Sequence, residues 1–347
     1  MPAAGVSLSA FGPSSMRSGP LEFLRRSLGL GTRRSGARRW RKATDSLSPV
    51  RTRPLEGLAG EHALFAPDLM RALARVDFVA APAIPDHELF QLRRLAARLG
   101  ILAAAGLDVQ VIGAEQMFAA AQLSFQKNKV FVSRCEYDLE VNDAVLAIVG
   151  RNLRPDFYWY ATNNRASDPR VISLPLGLLE FCNYSAFHQF AGDTTTFAAI
   201  RAAPGPRRGV LKCFDPNSYR KGRSLLARTV AGWDALIDVP LAKDAAAFRR
   251  YLEHLAAAEF CLCPRGKGID THRFWEALYM GALPVMLRAD MLRCHEGLPC
   301  LVVDSWQELL HLDLGAIAVN LRRQQYDLRS LTIAHWVGRI SASARES

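Results

Sequence analysis

Arg265, Lys267 and Arg273 crowd around the start of an expected helix, spaced by Gly266 and Gly268, and a carboxylate, Glu276, follows Arg273 at the third position. Cations beside a helix N-terminus, whose first N–H groups have no partner within the helix, make a place for an anion. A carboxylate one turn further in could accept the two hydroxyls of a ribose whose phosphates sit at the helix mouth. The set therefore suits a nucleotide diphosphate group. The plainer account of Arg273 and Glu276 is a salt bridge within the helix, at i,i+3. Asp270 reads as the N-cap of that helix, and His272 as a surface or cap-side histidine.

The elements that must hold these groups are legible on either side. A short apolar run, Phe260-Cys261-Leu262-Cys263, is stopped by Pro264. The glycine-spaced loop follows, then a helix over Asp270–Met280 closed by Gly281. A second apolar run, Leu283–Leu287, comes straight after. Strand, loop, helix and strand make a βαβ unit. On the helix, Phe274, Ala277, Leu278 and Gly281 keep the 3/4 spacing of a buried face, with His272, Arg273, Glu276 and Tyr279 toward the other side. Gly266-x-Gly268 also opens like a dinucleotide fingerprint with Asp290 as its ribose acid, but Thr271 stands where the third glycine belongs. No GxxxxGK[ST] occurs.

The rest of the chain repeats the pattern. Strands are expected near 78–81, 108–112, 129–133, 157–161 and 171–174, with helices behind Pro85-Asp86 and over 114–123 and 139–149. A second alternation begins at 209–214, followed by Arg220, Lys221 and Arg223 at a helix start over 221–232. A helix over 248–258 leads into the βαβ unit. Cys300–Val303 is a strand, Ser305-Trp306-Gln307-Glu308 a capping box, and 328–341 a terminal helix. Alternation of this kind implies parallel sheets with helices on both faces. The expected division is a basic tail over 1–55, an α/β domain over 56–178 and a second over 179–347, the two facing each other across a cleft.

CPRGKGIDTHRFWEALYMGALPV resembles the nucleotide-sugar signature of the exostosin family of glycosyltransferases, a CPxG…(S/T/D)xRxxEAL…G…PV pattern. VISLPLGL at 171–178, GVLKCF…YRKGRSLLA at 209–227 and VDSWQEL at 303–309 support it more loosely, so the likeness covers about half of the chain, roughly 155–312. The resemblance implies two facing Rossmann-like domains (a GT-B-like arrangement), a UDP-sugar donor held by the second, and transfer to a saccharide or glycan hydroxyl with inversion. It implies that Arg273 contacts the diphosphate and Glu276 the ribose, with Arg265 near the phosphates. Gly266, Lys267, Asp270 and His272 complete that donor set, and Arg223 has the spacing to reach the diphosphate. Lys267 stands where small or amide residues are usual in the family.

Inversion needs a base on the side opposite the leaving group. Glu136 and Asp138, just past the strand 129–133, are the candidates, with Asn163 and Asn164 past 157–161 for acceptor hydroxyls. No Asp-x-Asp occurs in the chain, so fixed cations and a helix N-terminus are expected to carry the leaving group's charge without a metal, and no cofactor beyond the donor is expected. The alternative is a nucleotide- or sugar-binding protein of the same fold that does not catalyse transfer.

Composition narrows the partners. Of the net charge of +11, a surplus of nine falls between Arg17 and Arg53, where eleven Arg or Lys face only Glu22 and Asp45. The basicity belongs to the tail, which argues against a nucleic-acid-binding fold and allows peripheral contact with an anionic membrane surface. That composition is expected of a disordered, solvated tail, and transit peptides share it. No run reaches the ~18 apolar residues of a membrane span, which reads as cytoplasmic, or as Golgi lumen if an anchor precedes the chain. The seven cysteines do not read as a disulfide framework but as buried small apolar residues.

Overall fold

The computed structural model describes residues 67–78, 83–113, 128–134, 140–179, 190–201 and 205–346. The expected tail over 1–55, the expected helix over 114–123 and the carboxylates Glu136 and Asp138 lie outside these residues.

The protein is mixed α/β with two parallel sheets. Helix α1 (Pro67–Ala72) leads into the two-residue strand β1 (Val76–Asp77), which pairs antiparallel with Gln325–Tyr326 near the other end of the chain. The first sheet follows: α2 (Leu92–Ala104), β2 (Val109–Gly113), β3 (Val130–Arg134), α3 (Asp143–Val149), β4 (Tyr158–Ala161) and β5 (Val171–Ser173). Its four strands lie side by side in sequence order, all parallel. Helix α4 (Thr195–Arg201) then leads to the second sheet, made of β6 (Val210–Lys212), β7 (Leu236–Asp238), β8 (Phe260–Leu262), β9 (Leu283–Leu287) and β10 (Leu301–Val303). Between these strands run α5 (Leu225–Thr229), α6 (Ala245–Ala257) and α7 (His272–Met280). Helix α8 (Leu314–Arg323), β11 (Gln325–Tyr326) and α9 (Ile333–Arg345) close the chain.

The second sheet has the order β10-β9-β8-β6-β7 with every pairing parallel. From β6 the chain winds to one side and then returns to the other, so the winding reverses between β6 and β8. A crevice opens beyond the carboxyl ends of the strands at such a reversal, and ligands of open α/β sheets bind there. The loops that follow β6 and β8 are the ones bearing Arg223 and Arg265.

Residues of β8 and of most of β9 are buried, which is why both read as unbroken apolar runs. Helix α7 differs from the two-faced helix expected. Phe274 through Met280 are all buried, Glu276 and Tyr279 among them. Tyr279 accepts from Phe90 N at 3.1 Å and donates to the Leu331 carbonyl at 2.5 Å, so its hydroxyl is satisfied inside the protein. Burying Phe274, Leu278 and Met280 contributes about 1.5–3 kcal/mol each. Gly281 ends the helix with φ of 79°, and a Cβ there would stand 2.6 Å from Arg207 Nη2.

The last helix crosses back. The terminal helix expected over 328–341 is found at Ile333–Arg345, packed against α2, β2 and β3 of the first sheet. Tyr160 of β4 bonds to Ser343 Oγ at 2.9 Å. One hydrophobic core, with Val132, Tyr160, Phe260, Phe274 and Trp336 among its members, runs through both sheets. A second cluster, with Phe131, Val145 and Trp159 among its members, lies on the first sheet alone. No described helix is long and apolar enough to cross a membrane.

Candidate functional site

The entrance to α7 is fixed from the first sheet. Thr271, not Asp270, is the N-cap residue, and its side chain makes no cap bond. Asp270 stands one position earlier and is buried. Its carboxylate accepts from Leu176 N at 2.7 Å, Thr271 N at 2.7 Å, the Trp275 indole at 3.0 Å and His295 Nε2 at 3.1 Å. His295 Nδ1 accepts from Leu292 N, so the ring carries its proton on Nε2 and donates it to Asp270. The Asp270 N–H donates to Asn163 Oδ1 at 2.9 Å. Asp270 is thus a strut between the sheets rather than a ligand-facing cap.

Asp270, Cys294 and His295 bring three metal-binding side chains within 4.8 Å of one another, all buried. The carboxylate already receives four N–H groups, and a cation would have to displace them. The cluster fits a closed hydrogen-bond node better than a metal centre.

Asn163 sits at φ of 52°, a left-handed conformation that asparagine tolerates better than most residues. Asn164 donates to the Val171 carbonyl at 2.9 Å and accepts from Ala166 N at 2.8 Å. Both asparagines are buried, and these bonds shape the turn after β4 and its junction with α7. His272 lies half-buried at the first turn of α7, its Nδ1 2.8 Å from the Gly177 carbonyl oxygen, and so donates the Nδ1 proton to it.

Three guanidinium groups gather around the loop Pro264–Gly268, in different circumstances. Arg223 donates to the Arg265 carbonyl at 3.0 Å, to the Pro264 carbonyl at 3.2 Å and to Ser218 Oγ at 2.6 Å. These bonds hold the loop in place, and a Cβ on Gly266 would stand 3.0 Å from its Nη2. Burial first, then the neighbouring charge of Arg273, brings its pKa down to about 10. Arg265 crosses to the first sheet. Its Nη2 lies 2.8 Å from Glu140 Oε1 and its Nη1 3.9 Å from Asp290, with the guanidinium 5.1 Å from the centre of the Tyr219 ring. Its Nε is buried with no hydrogen-bond partner. Lys267 is exposed on the loop.

Arg273 is the third. Its Nε is buried and unpartnered. Burial opposes its charge, but Tyr251, Cys213, Glu276 and Cys261 around it more than offset this, and its pKa is raised. No Arg273–Glu276 salt bridge forms. Glu276 Oε2 instead accepts from the Tyr251 hydroxyl of α6 at 2.7 Å. Burial pushes the Cys213 thiol up to about 11 and Cys261 well above its ordinary value, so these thiols stay protonated and are poor nucleophiles.

Beyond the carboxyl ends of the strands lies a cleft of about 480 Å³. Glu140 and Arg165 line it from the first sheet, and Tyr219, Lys221, Arg265, Asp290 and Trp306 from the second. Arg273 and Glu276 do not line this cleft, and Pro264 and Arg265 are where loop and cleft meet. Burial holds the Asp290 carboxyl above its ordinary pKa despite Arg265 and Arg165. Sequence reasoning placed Arg265, Arg273 and Glu276 around one loop. It missed Tyr251, whose only local signal is its place beside Phe248 and Leu252 on the buried face of a helix. Glu140 stood out in the sequence only as the end of Asp138-x-Glu140, the nearest approach to an Asp-x-Asp.

No protein-family model matches the chain, and no curated protein matches it.

Proposed function

We propose that the protein is a glycosyltransferase that moves a sugar from a UDP-sugar to a saccharide or glycan hydroxyl, with inversion at the anomeric carbon and without a metal. The observation that carries this reading is Arg273. Its buried Nε lacks a partner, it neighbours the electropositive Arg223, and it lies in the first turn of a nine-residue helix at the reversal of a parallel sheet. Such a place favours an anion twice over: through two cations and through the crevice of the fold. The exostosin-like residues CPRG…HRFWEAL supply the class of anion, a nucleotide diphosphate carrying a sugar.

In this reading Arg273 and the α7 N-terminus take up the charge that grows on the UDP leaving group. Glu276, its rotamer held by Tyr251, accepts the ribose hydroxyls. Arg223 keeps the loop within reach of the phosphates without touching them. The charge stabilisation that a metal supplies elsewhere falls here to guanidinium groups, in line with the lack of any Asp-x-Asp in the sequence.

A panel of UDP- and GDP-sugars tests the reading by thermal stabilisation, followed by slow donor hydrolysis or transfer. Stabilisation by UDP and its sugars with turnover is the expected result. Binding without turnover would leave a non-catalytic nucleotide-sugar binder, and stabilisation by no nucleotide would remove the basis of the proposal.

A further inference from the structure

Glu140 is placed by backbone pairing. Val141, its neighbour, forms an isolated parallel bridge with Asn164. Val141 N donates to the Asn163 carbonyl at 3.1 Å and Arg165 N to the Val141 carbonyl at 2.7 Å. These bonds set Glu140 beside Arg165, past the carboxyl ends of β3 and β4, with Oε2 4.0 Å from Arg165 Nε. Among the described residues it is the one carboxylate that the first sheet brings to the cleft wall. Across the cleft its Oε1 meets Arg265 at 2.8 Å, and its side chain stays 33% exposed.

That pair spans the two sheets and closes on the loop where the leaving group is proposed to sit. Part-exposed ion pairs are weak and screened. A diphosphate offers an arginine a doubly charged, bidentate partner, and Arg265 also keeps a buried Nε with no bond to lose. A donor that takes Arg265 releases Glu140. Asp290, the other carboxylate in the wall, follows β9 on the second sheet, the side proposed to hold the donor, and so would not stand opposite the leaving group. Glu140 would.

Resting on the glycosyltransferase reading, we infer that Glu140 is the catalytic base, held by Arg265 in the empty cleft and freed when the donor's phosphates engage that arginine. The step balances simply. The Glu140 carboxylate takes the proton of the acceptor hydroxyl as the acceptor oxygen bonds to the anomeric carbon. The bond from that carbon to the phosphate oxygen breaks, and UDP leaves with its electron pair. No oxidant, reductant or further reactant is required.

The test compares wild type, Glu140→Gln and Glu140→Asp for UDP binding by calorimetry and for transfer or hydrolysis of the UDP-sugar selected by the panel. Glutamine keeps the shape and a hydrogen bond to Arg265 but removes the base. It should lower turnover by about 100-fold or more, the usual scale for a general base, and bind UDP as tightly as wild type or up to about tenfold tighter. Aspartate should keep a measurable part of the activity. Turnover of Glu140→Gln within threefold of wild type overturns the assignment. So does a loss of UDP affinity that parallels the loss of turnover, since Glu140 would then be only a clip between the sheets. A wild type that binds UDP without turning over any donor refutes the base while leaving the donor site standing. A wild type that binds no nucleotide refutes the donor reading itself.

Discussion

Replacing Asp270 tests how the candidate site is held. In the folded protein four N–H groups converge on its carboxylate, from Leu176, Thr271, Trp275 and His295, at 2.7 to 3.1 Å. Asp270→Asn keeps one acceptor oxygen and turns the other into a donor, which must face at least one of these N–H groups. Leaving a buried donor unpaired costs about 1–3 kcal/mol. With one or two donors stranded, Asp270→Asn should destabilise by about 3 kcal/mol, and Asp270→Ala, which strands all four, by about 5 kcal/mol. For a chain of this size that corresponds to roughly 1.5–2 °C in Tm per kcal/mol, so about 5–6 °C for the asparagine variant. Urea unfolding followed by tryptophan fluorescence reads the change, since Trp275 is in the network. A double-mutant cycle with His295→Gln should return a coupling of about 1 kcal/mol. A Tm for Asp270→Asn within a degree of wild type would falsify the strut and return Asp270 to the role of a solvent-facing cap.

Further outcomes follow from neighbouring residues. Tyr251→Phe removes the hydroxyl that orients Glu276, and should weaken UDP binding by about threefold to tenfold on the ~1 kcal/mol scale of one hydrogen bond; unchanged affinity in calorimetry speaks against a ribose role for Glu276. Arg273→Met should abolish UDP-induced thermal stabilisation while the unliganded Tm falls by only a few degrees, because the lost Nε made no bond. Turnover should survive EDTA, and loss of activity restored by Mn²⁺ would refute metal-free transfer. Asp290 has a folded pKa raised above its ordinary 3.8 by burial. Its contribution to stability is therefore fully present below that value and lost as pH rises through the raised one. Asp290→Asn should melt higher than wild type at pH 7 and lose that advantage below about pH 4, as calorimetric scans across pH would reveal.

The parallel strands were legible because strands covered on both faces read as unbroken apolar runs, as Phe260–Leu262 and Leu283–Leu287 do. Leu236–Asp238 escaped because this edge strand is short and only partly buried. The helix expected over 221–232 begins instead as a π-turn over Arg220–Ser224. Periodicity takes no account of Arg223, whose guanidinium turns back to two loop carbonyls there, and such turns often mark functional sites. The polar face assigned to α7 was wrong for a related reason. Period 3.6 separates the two sides of a helix but cannot tell that the second side is covered too, with Tyr279 bonded to Phe90 and Leu331. Charge type and spacing did find the loop cations, yet not their partners. Glu140 lies 125 positions from Arg265, Leu176 lies 94 from Asp270, and Tyr251 lies 25 from Glu276. Only the fold brings such pairs together.

These long-range bonds divide the cations of the loop by mobility. Both ends of α7 are tied into the first sheet's surroundings: the entrance through Asn163, Leu176 and Gly177, the far end through Tyr279. Arg273 rides on that helix, and Arg223 is held by three bonds to Ser218 and the loop, so neither can follow a ligand far. Their closeness is held against like-charge repulsion by those bonds, by the groups around Arg273 and by the packing of α7, and an anion that enters would relieve it. Arg265 is the exception. Its partners Glu140 and Asp290 belong to opposite walls of the cleft, its pairing is part-exposed, and its Nε is unspent. On the proposed reading the anion is held by Arg273 on a rigid helix, and its binding is reported through one movable arginine. On that reading the group released by the movement is Glu140, on the wall where an acceptor would enter, and the base would become available only when there is a donor for it to act upon.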